Sequence, residues 1–177
     1  MKKILFIFLL SLIMISCNSA AKEETVPPPK PLKTYSKGSV SVDSYNYSGF
    51  ENFLKKENDT VYVVNFWATW CQPCVQELPN FEKLEQEHKE DKVKVLLVSI
   101  DFPKTAESKL LPFIEKRNLK PEVILLDDPD ANSWINKVDS SWSGAIPATL
   151  IYTKERRIFY EKSFTFDELE RETKKFL

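Results

Sequence analysis

Cys71 and Cys74 lie three positions apart in Asn65-Phe66-Trp67-Ala68-Thr69-Trp70-Cys71-Gln72-Pro73-Cys74, a spacing at which two thiols can close a disulfide and reopen it. Upstream, Val61-Tyr62-Val63-Val64 reads as a buried strand, and downstream Val75, Leu78, Phe81 and Leu84 recur at helical spacing. The pair therefore belongs where a strand hands over to a helix. The first helical turn offers unsatisfied N–H groups and the positive end of the helix dipole, both of which favour thiolate over thiol. Cys71 is the sulfur expected to be acidified, since such positions bring a cysteine from about pH 8.5 down to roughly 3.5–7.5. Cys74, one turn on, is placed to resolve a mixed disulfide. Pro73 suits a first helical turn, where a missing N–H costs little.

The segment from Val63 to Pro79, VVNFWATWCQPCVQELP, resembles the active-site region of the TlpA/ResA-like branch of the thioredoxin superfamily, a group of envelope thiol–disulfide oxidoreductases. A second block, Trp142-Ser143-Gly144-Ala145-Ile146-Pro147-Ala148-Thr149, resembles that family's cis-proline loop and the strand after it. The resemblance implies a cis Ile146-Pro147 bond opposite Cys71, with backbone near Ile146 open to an extended substrate and Trp70, Gln72 and Pro73 beside the same groove. It also implies a part for Glu77 in taking the proton that Cys74 must lose, which partial burial would favour by raising the carboxyl pKa. The plainer reading of Glu77 is a solvated helix carboxylate. Asn65 stands where thioredoxins usually carry a buried aspartate, which leaves Glu77 the better proton acceptor and Asn65 a member of a polar network beneath the motif. Trp67 reads as core and Trp70 as partly exposed.

These residues must be held by a regular frame. Ser48 is placed to cap a helix through Phe50, Phe53 and Leu54, followed by a strand over Val61 to Phe66 and the dithiol helix through about Lys89, with Pro79 inside it and expected to bend it. Val93 to Ile100 reads as a second buried strand, Thr105 to Arg117 as a helix, Glu122 to Leu126 as a strand, and Asp128 to Val138 as a turn and short helix. A hairpin is expected from Ala148–Thr153 and Arg157–Ser163, then a last helix opened by the capping box Thr165-Phe166-Asp167-Glu168. This alternation argues for a three-layer α/β/α sandwich with a mixed central sheet. Resemblance makes the sandwich thioredoxin-like and accounts for an extra helix–strand insertion that minimal thioredoxin lacks.

Met1-Lys2-Lys3 and the apolar run Ile4 to Ile15 read as a secretory signal over residues 1–16, too short for a spanning helix of roughly 20 residues. Met14-Ile15-Ser16-Cys17 resembles a bacterial lipobox, which makes Cys17 the acylated first residue of a mature lipoprotein; an uncleaved anchor and a plain signal peptide are the alternatives. Lipidation would also account for the odd one of three cysteines. Residues 17–40, with Pro27-Pro28-Pro29-Lys30-Pro31, read as a stiff tether, and 41–177 as the thioredoxin-like domain.

A net charge of −1 offers no concentrated basic face for nucleic acid. With one histidine and three glycines, neither a two-histidine metal motif nor a glycine-rich phosphate loop can be built. His88 sits in a charged Glu85–Glu90 run that reads as solvated helix surface. The resulting expectation is a monomeric, membrane-anchored envelope protein-disulfide reductase that needs no cofactor, acts on protein disulfides and is recharged by a membrane thiol donor. Two competitors are a peroxiredoxin-like thiol peroxidase, whose Thr-x-x-Cys arrangement is missing here, and a Sco-like copper-binding module, which uses wider cysteine spacing plus a histidine.

Overall fold

Val61–Trp67 and Val93–Ser99 are almost wholly β-branched, leucine or aromatic residues, and in the computed structural model, which describes residues 29–177, they form the parallel centre of a seven-stranded sheet. The strands are β1 (Lys33–Lys37), β2 (Val40–Tyr45), β3 (Val61–Trp67), β4 (Val93–Ser99), β5 (Glu122–Leu126), β6 (Ala148–Tyr152) and β7 (Arg157–Tyr160). Their spatial order is β1-β2-β5-β4-β3-β6-β7. β2, β5, β4 and β3 run parallel, while β1, β6 and β7 pair antiparallel at the two sides.

Helices cover both faces. They are α1 (Tyr47–Phe50), α2 (Gln72–Glu87), α3 (Leu111–Arg117), α4 (Ala131–Val138) and α5 (Phe166–Lys174). Because side chains alternate along a strand, Val63 and Trp67 join Leu78, Phe81, Leu84, Leu110 and Leu169 in one core. Val64 and Phe66 join Phe50, Trp134, Trp142 and Leu150 in the other. Asn65 therefore falls on the α2 side, directly before the dithiol. The three-layer mixed sandwich expected from the sequence is present, with α3, β5 and α4 lying between β4 and β6 along the chain.

Several boundaries differ. The sheet begins at Lys33, inside the stretch read as tether: Tyr35 and Val42 point into the core and Gly38, at φ 60°, turns β1 into β2. Proline and lysine content hid this short alternating hairpin, so residues 33–40 belong to the domain. Residues 1–16, Cys17 and the start of the tether lie outside the described residues. Asn46, not Ser48, caps α1, accepting the Gly49 N–H at 3.0 Å. The single helix expected over 105–117 is a 3₁₀ turn, a π turn over Ala106–Leu110 and then α3. Pro112, which has no N–H to donate, stands just after the irregular part.

α2 ends at Glu87, and His88 is buried rather than solvated. Its ring nitrogens sit 2.7 Å from Asp91 and 3.3 Å from Glu170, tying the end of α2 to α5. The capping box of α5 forms as expected, with Thr165 and Glu168 bonding each other's backbone N–H groups.

Candidate active site

β3 delivers the chain to Cys71, which is the N-cap residue of α2 and adopts an extended backbone. Cys71 and Cys74 are joined as a disulfide with their Cα atoms 5.3 Å apart. The Cys74 N–H donates to the Cys71 sulfur at 3.3 Å, so the sulfur takes one of the donors that a helix start leaves free. Cys71 keeps 6% of its surface exposed and Cys74 none, which makes Cys71 the sulfur an incoming molecule meets. Gln72 and Pro73 are exposed beside it, and Trp70 is 59% exposed, whereas Trp67 is fully buried.

The loop before β6 closes the site from the other side. Ile146-Pro147 is cis, and the Ile146 carbonyl oxygen lies 3.9 Å from the Cys71 sulfur. Trp142 anchors that loop by donating its indole N–H to the Ala145 carbonyl at 2.8 Å. Its ring packs on Phe66 and Phe159.

Glu77, one turn beyond Cys74, is buried to 3% exposure and is not the solvated carboxylate of the plainer reading. Its Oε1 accepts from Asn65 Nδ2 at 3.0 Å and its Oε2 accepts the Phe164 N–H at 2.7 Å. Loss of water raises its pKa to about 7, against the two hydrogen bonds that favour the charged form. Asn65 Nδ2 also reaches Thr149 Oγ1 at 3.2 Å, completing a polar network under the motif, while its Oδ1 has no partner. An open cavity of about 370 Å³ adjoins Glu77, lined among others by Pro73, Gln76, Asn80 and Phe164. A larger groove of about 730 Å³ lies along the flank of α2, lined by Pro79, Lys83, Lys89, Lys92 and Val93, without either cysteine.

Two supports escaped the sequence reading. Asp101 accepts the Thr69 N–H at 3.0 Å, the Thr69 hydroxyl at 2.6 Å and the Ser99 hydroxyl at 2.9 Å, fixing the turn into Cys71 from 32 residues away. Ser99 and Asp101 flank the end of β4, and only the parallel pairing of β3 with β4 brings them to the motif. Phe164 contributes a backbone N–H, which no side-chain pattern advertises. Among the described residues no cluster of three or more His, Cys, Asp or Glu could hold a metal ion, and His88 lies at the opposite end of α2 from Cys71.

A seven-stranded mixed sheet whose central strand runs into a Cys-x-x-Cys helix start opposite a cis-proline defines a thioredoxin-like fold. Solved structures share it: StoA from Bacillus subtilis aligns over 80% of this chain and 93% of its own with a TM-score of 0.52 and 18% identity. A secreted Mycobacterium tuberculosis disulfide oxidoreductase aligns over 77% and 89% with a TM-score of 0.51 and 21% identity. The chain belongs to the AhpC/TSA family, whose model matches residues 43–161, and it stands with the ResA/TlpA-like members of the thioredoxin superfamily. It is 32% identical to the thioredoxin-like protein YneN of Bacillus subtilis over 113 residues, 59% of this chain and 65% of that one. It is 30% identical to the thiol-disulfide oxidoreductase ResA of Geobacillus kaustophilus over 111 residues, 62% of this chain and 58% of that one. The matched region thus spans less than two-thirds of these relatives' own length.

Proposed function

We propose that this protein reduces disulfides in other proteins through the Cys71/Cys74 pair. The observation that carries the reading is the asymmetry of the two sulfurs: Cys71, at the start of α2 and 3.9 Å from the Ile146 carbonyl oxygen, keeps 6% of its surface exposed, and Cys74 keeps none. In the reduced enzyme the Cys71 thiolate attacks one sulfur of a substrate disulfide, that bond breaks, and the first substrate thiolate leaves. Cys74 then gives its proton toward Glu77 and attacks the Cys71 sulfur. The mixed disulfide breaks, the second substrate thiolate departs, and the enzyme is left oxidised by two electrons as the substrate is reduced.

Glu77 is the proton acceptor in this scheme because a carboxyl with a pKa of about 7 exchanges protons readily near neutrality. Ile146 and Pro147, with Trp70, Gln72 and Pro73, form the groove for an extended substrate segment, whose backbone pairs with the chain at Ile146. A membrane-bound dithiol donor then returns the pair to the reduced state. Cys17 carries a lipid that holds a monomer on the periplasm-facing side of a bacterial membrane; the lipobox-like Met14–Cys17 and the proline-rich stretch after it support this placement.

Reduction of insulin disulfides with dithiothreitol as the reductant tests the reading. Wild-type protein should accelerate the reaction and Cys71→Ser should abolish the acceleration. Equal rates with the two proteins would refute it.

A further inference from the structure

Glu161, just after β7, is an exposed carboxylate with three hydrogen bonds to a single loop. Its Oε2 accepts the Ser143 N–H at 3.0 Å. Its Oε1 accepts the Ala145 N–H at 3.1 Å and also the Ser143 hydroxyl. Backbone N–H groups of nearby residues converge on one anion when the residue between them takes a left-handed conformation. Gly144 does so, at φ 93°, and a Cβ there would lie 3.0 Å from Ile135 Cδ1. The loop is thus an anion-binding turn, and the anion is the protein's own side chain.

The next residues along this turn are Ile146, whose carbonyl stands 3.9 Å from the Cys71 sulfur, and Pro147. Asp101 likewise accepts two hydrogen bonds from Thr69, but it is buried. We infer that Glu161 is a positioning residue for substrate: by gripping Ser143 and Ala145 it sets where the Ile146 backbone lies, and so how well an extended polypeptide can pair beside Cys71. Glu161 itself touches neither sulfur. The Ser143 hydrogen bonds hold its carboxyl below the usual carboxylate range, so the grip persists at mildly acidic pH.

This rests on the disulfide-reductase reading, and it divides substrates by what they demand of the loop. A polypeptide disulfide needs the Ile146 backbone in place. A small aromatic disulfide such as dithionitrobenzoate needs only the Cys71 sulfur.

The test compares wild type, Glu161→Ala and Ser143→Ala with both substrates, the peptide in turnover with dithiothreitol as the reductant and dithionitrobenzoate in a single turnover against protein reduced beforehand and freed of dithiothreitol, which would otherwise reduce it directly. Glu161→Ala should raise KM for a disulfide-bonded peptide about tenfold, the scale of a few charge-assisted hydrogen bonds given up to water. Its kcat should change little, and its second-order rate constant for dithionitrobenzoate should stay within about twofold of wild type by the same reasoning. Ser143→Ala, which deletes one of the three donors, should fall between. Faster amide hydrogen exchange at Ala145 in Glu161→Ala should accompany the KM change. An unchanged peptide KM, or an equal loss on both substrates, would overturn the role of Glu161 alone. Wild-type protein that reduces neither substrate would overturn the reductase reading, and this inference with it.

Discussion

Asn65 donates from Nδ2 to Glu77 Oε1 at 3.0 Å, joining the strand that leads into the dithiol to the helix that leads out of it. The bond couples a buried carboxyl to the sheet, and it makes the protonation of Glu77 a property of the whole layer contact. Glu77 ionises near pH 4.5 in an unfolded chain and at about 7 in the fold, because burial disfavours its charge.

Between those two values the folded protein holds a proton that the unfolded chain has released. Stability is therefore highest below pH 4.5 on account of this group, falls as pH rises, and reaches its lower plateau above about 7. The full difference is about 3 kcal/mol. Glu77→Gln mimics the protonated form at every pH. Urea unfolding should find it more stable than wild type at pH 8 by up to ~3 kcal/mol and equal to it near pH 4. Parallel pH profiles for the two proteins would remove Glu77 as a perturbed group.

Removing the Asn65 amide should act on Glu77 from the other side. Asn65→Ala takes away a donor that favours the charged carboxylate, so the Glu77 pKa should rise above its wild-type value. The buried acceptors left behind should cost about 1–3 kcal/mol of stability. Carbon NMR of the Glu77 carboxyl across pH reads the first effect directly. A pKa that falls or stays put would contradict it.

Asp101→Ala should loosen the approach to Cys71. The Thr69 N–H and the Thr69 and Ser99 hydroxyls would all lose their acceptor in a buried setting. A stability loss of about 2 kcal/mol or more is expected, read by urea unfolding. Asp101→Asn, which keeps acceptor oxygen at one position, should lose less. A loss below about 0.5 kcal/mol for the alanine variant would match a surface site instead.

Much of this was legible in the residues because local chemistry and global placement agree. Cys-x-x-Cys behind an apolar strand can hardly sit anywhere but a helix start, and the Thr165–Glu168 box announces its own helix. Trp67 and Trp70 separated correctly into buried and exposed because alternation along β3 sends Trp67 into the α2-side core. What failed was either short or long-range. Lys33–Lys37 carries one inward residue, Tyr35, among polar neighbours, so its period-2 signal is too weak to stand out beside a proline cluster. His88 reads as surface from its charged neighbours, and only the packing of α5 against α2 buries it. Asp101 and Glu161 act on loops 32 and 16–18 residues away, a distance at which sequence carries no sign of contact.

The competing reading of Cys71 is that of a peroxiredoxin-like thiol peroxidase. Ala68 stands three residues before Cys71, where a peroxidase of the peroxiredoxin-like kind would carry threonine, so a hydroxyl to orient peroxide is missing from that position. Hydrogen peroxide should be consumed with dithiothreitol no faster than by Cys71→Ser. A rate that depends strongly on Cys71 would favour the peroxidase reading.

Mass spectrometry of reduced Cys74→Ser after incubation with a disulfide-bonded peptide measures the division of labour between the two sulfurs most directly. A stable adduct should form, with one peptide thiol joined to Cys71, because the resolving sulfur is gone. Cys71→Ser should form essentially none, since Cys74 is fully buried. An adduct on Cys74 in Cys71→Ser, or no adduct in Cys74→Ser, would contradict the assignment of Cys71 as the attacking sulfur.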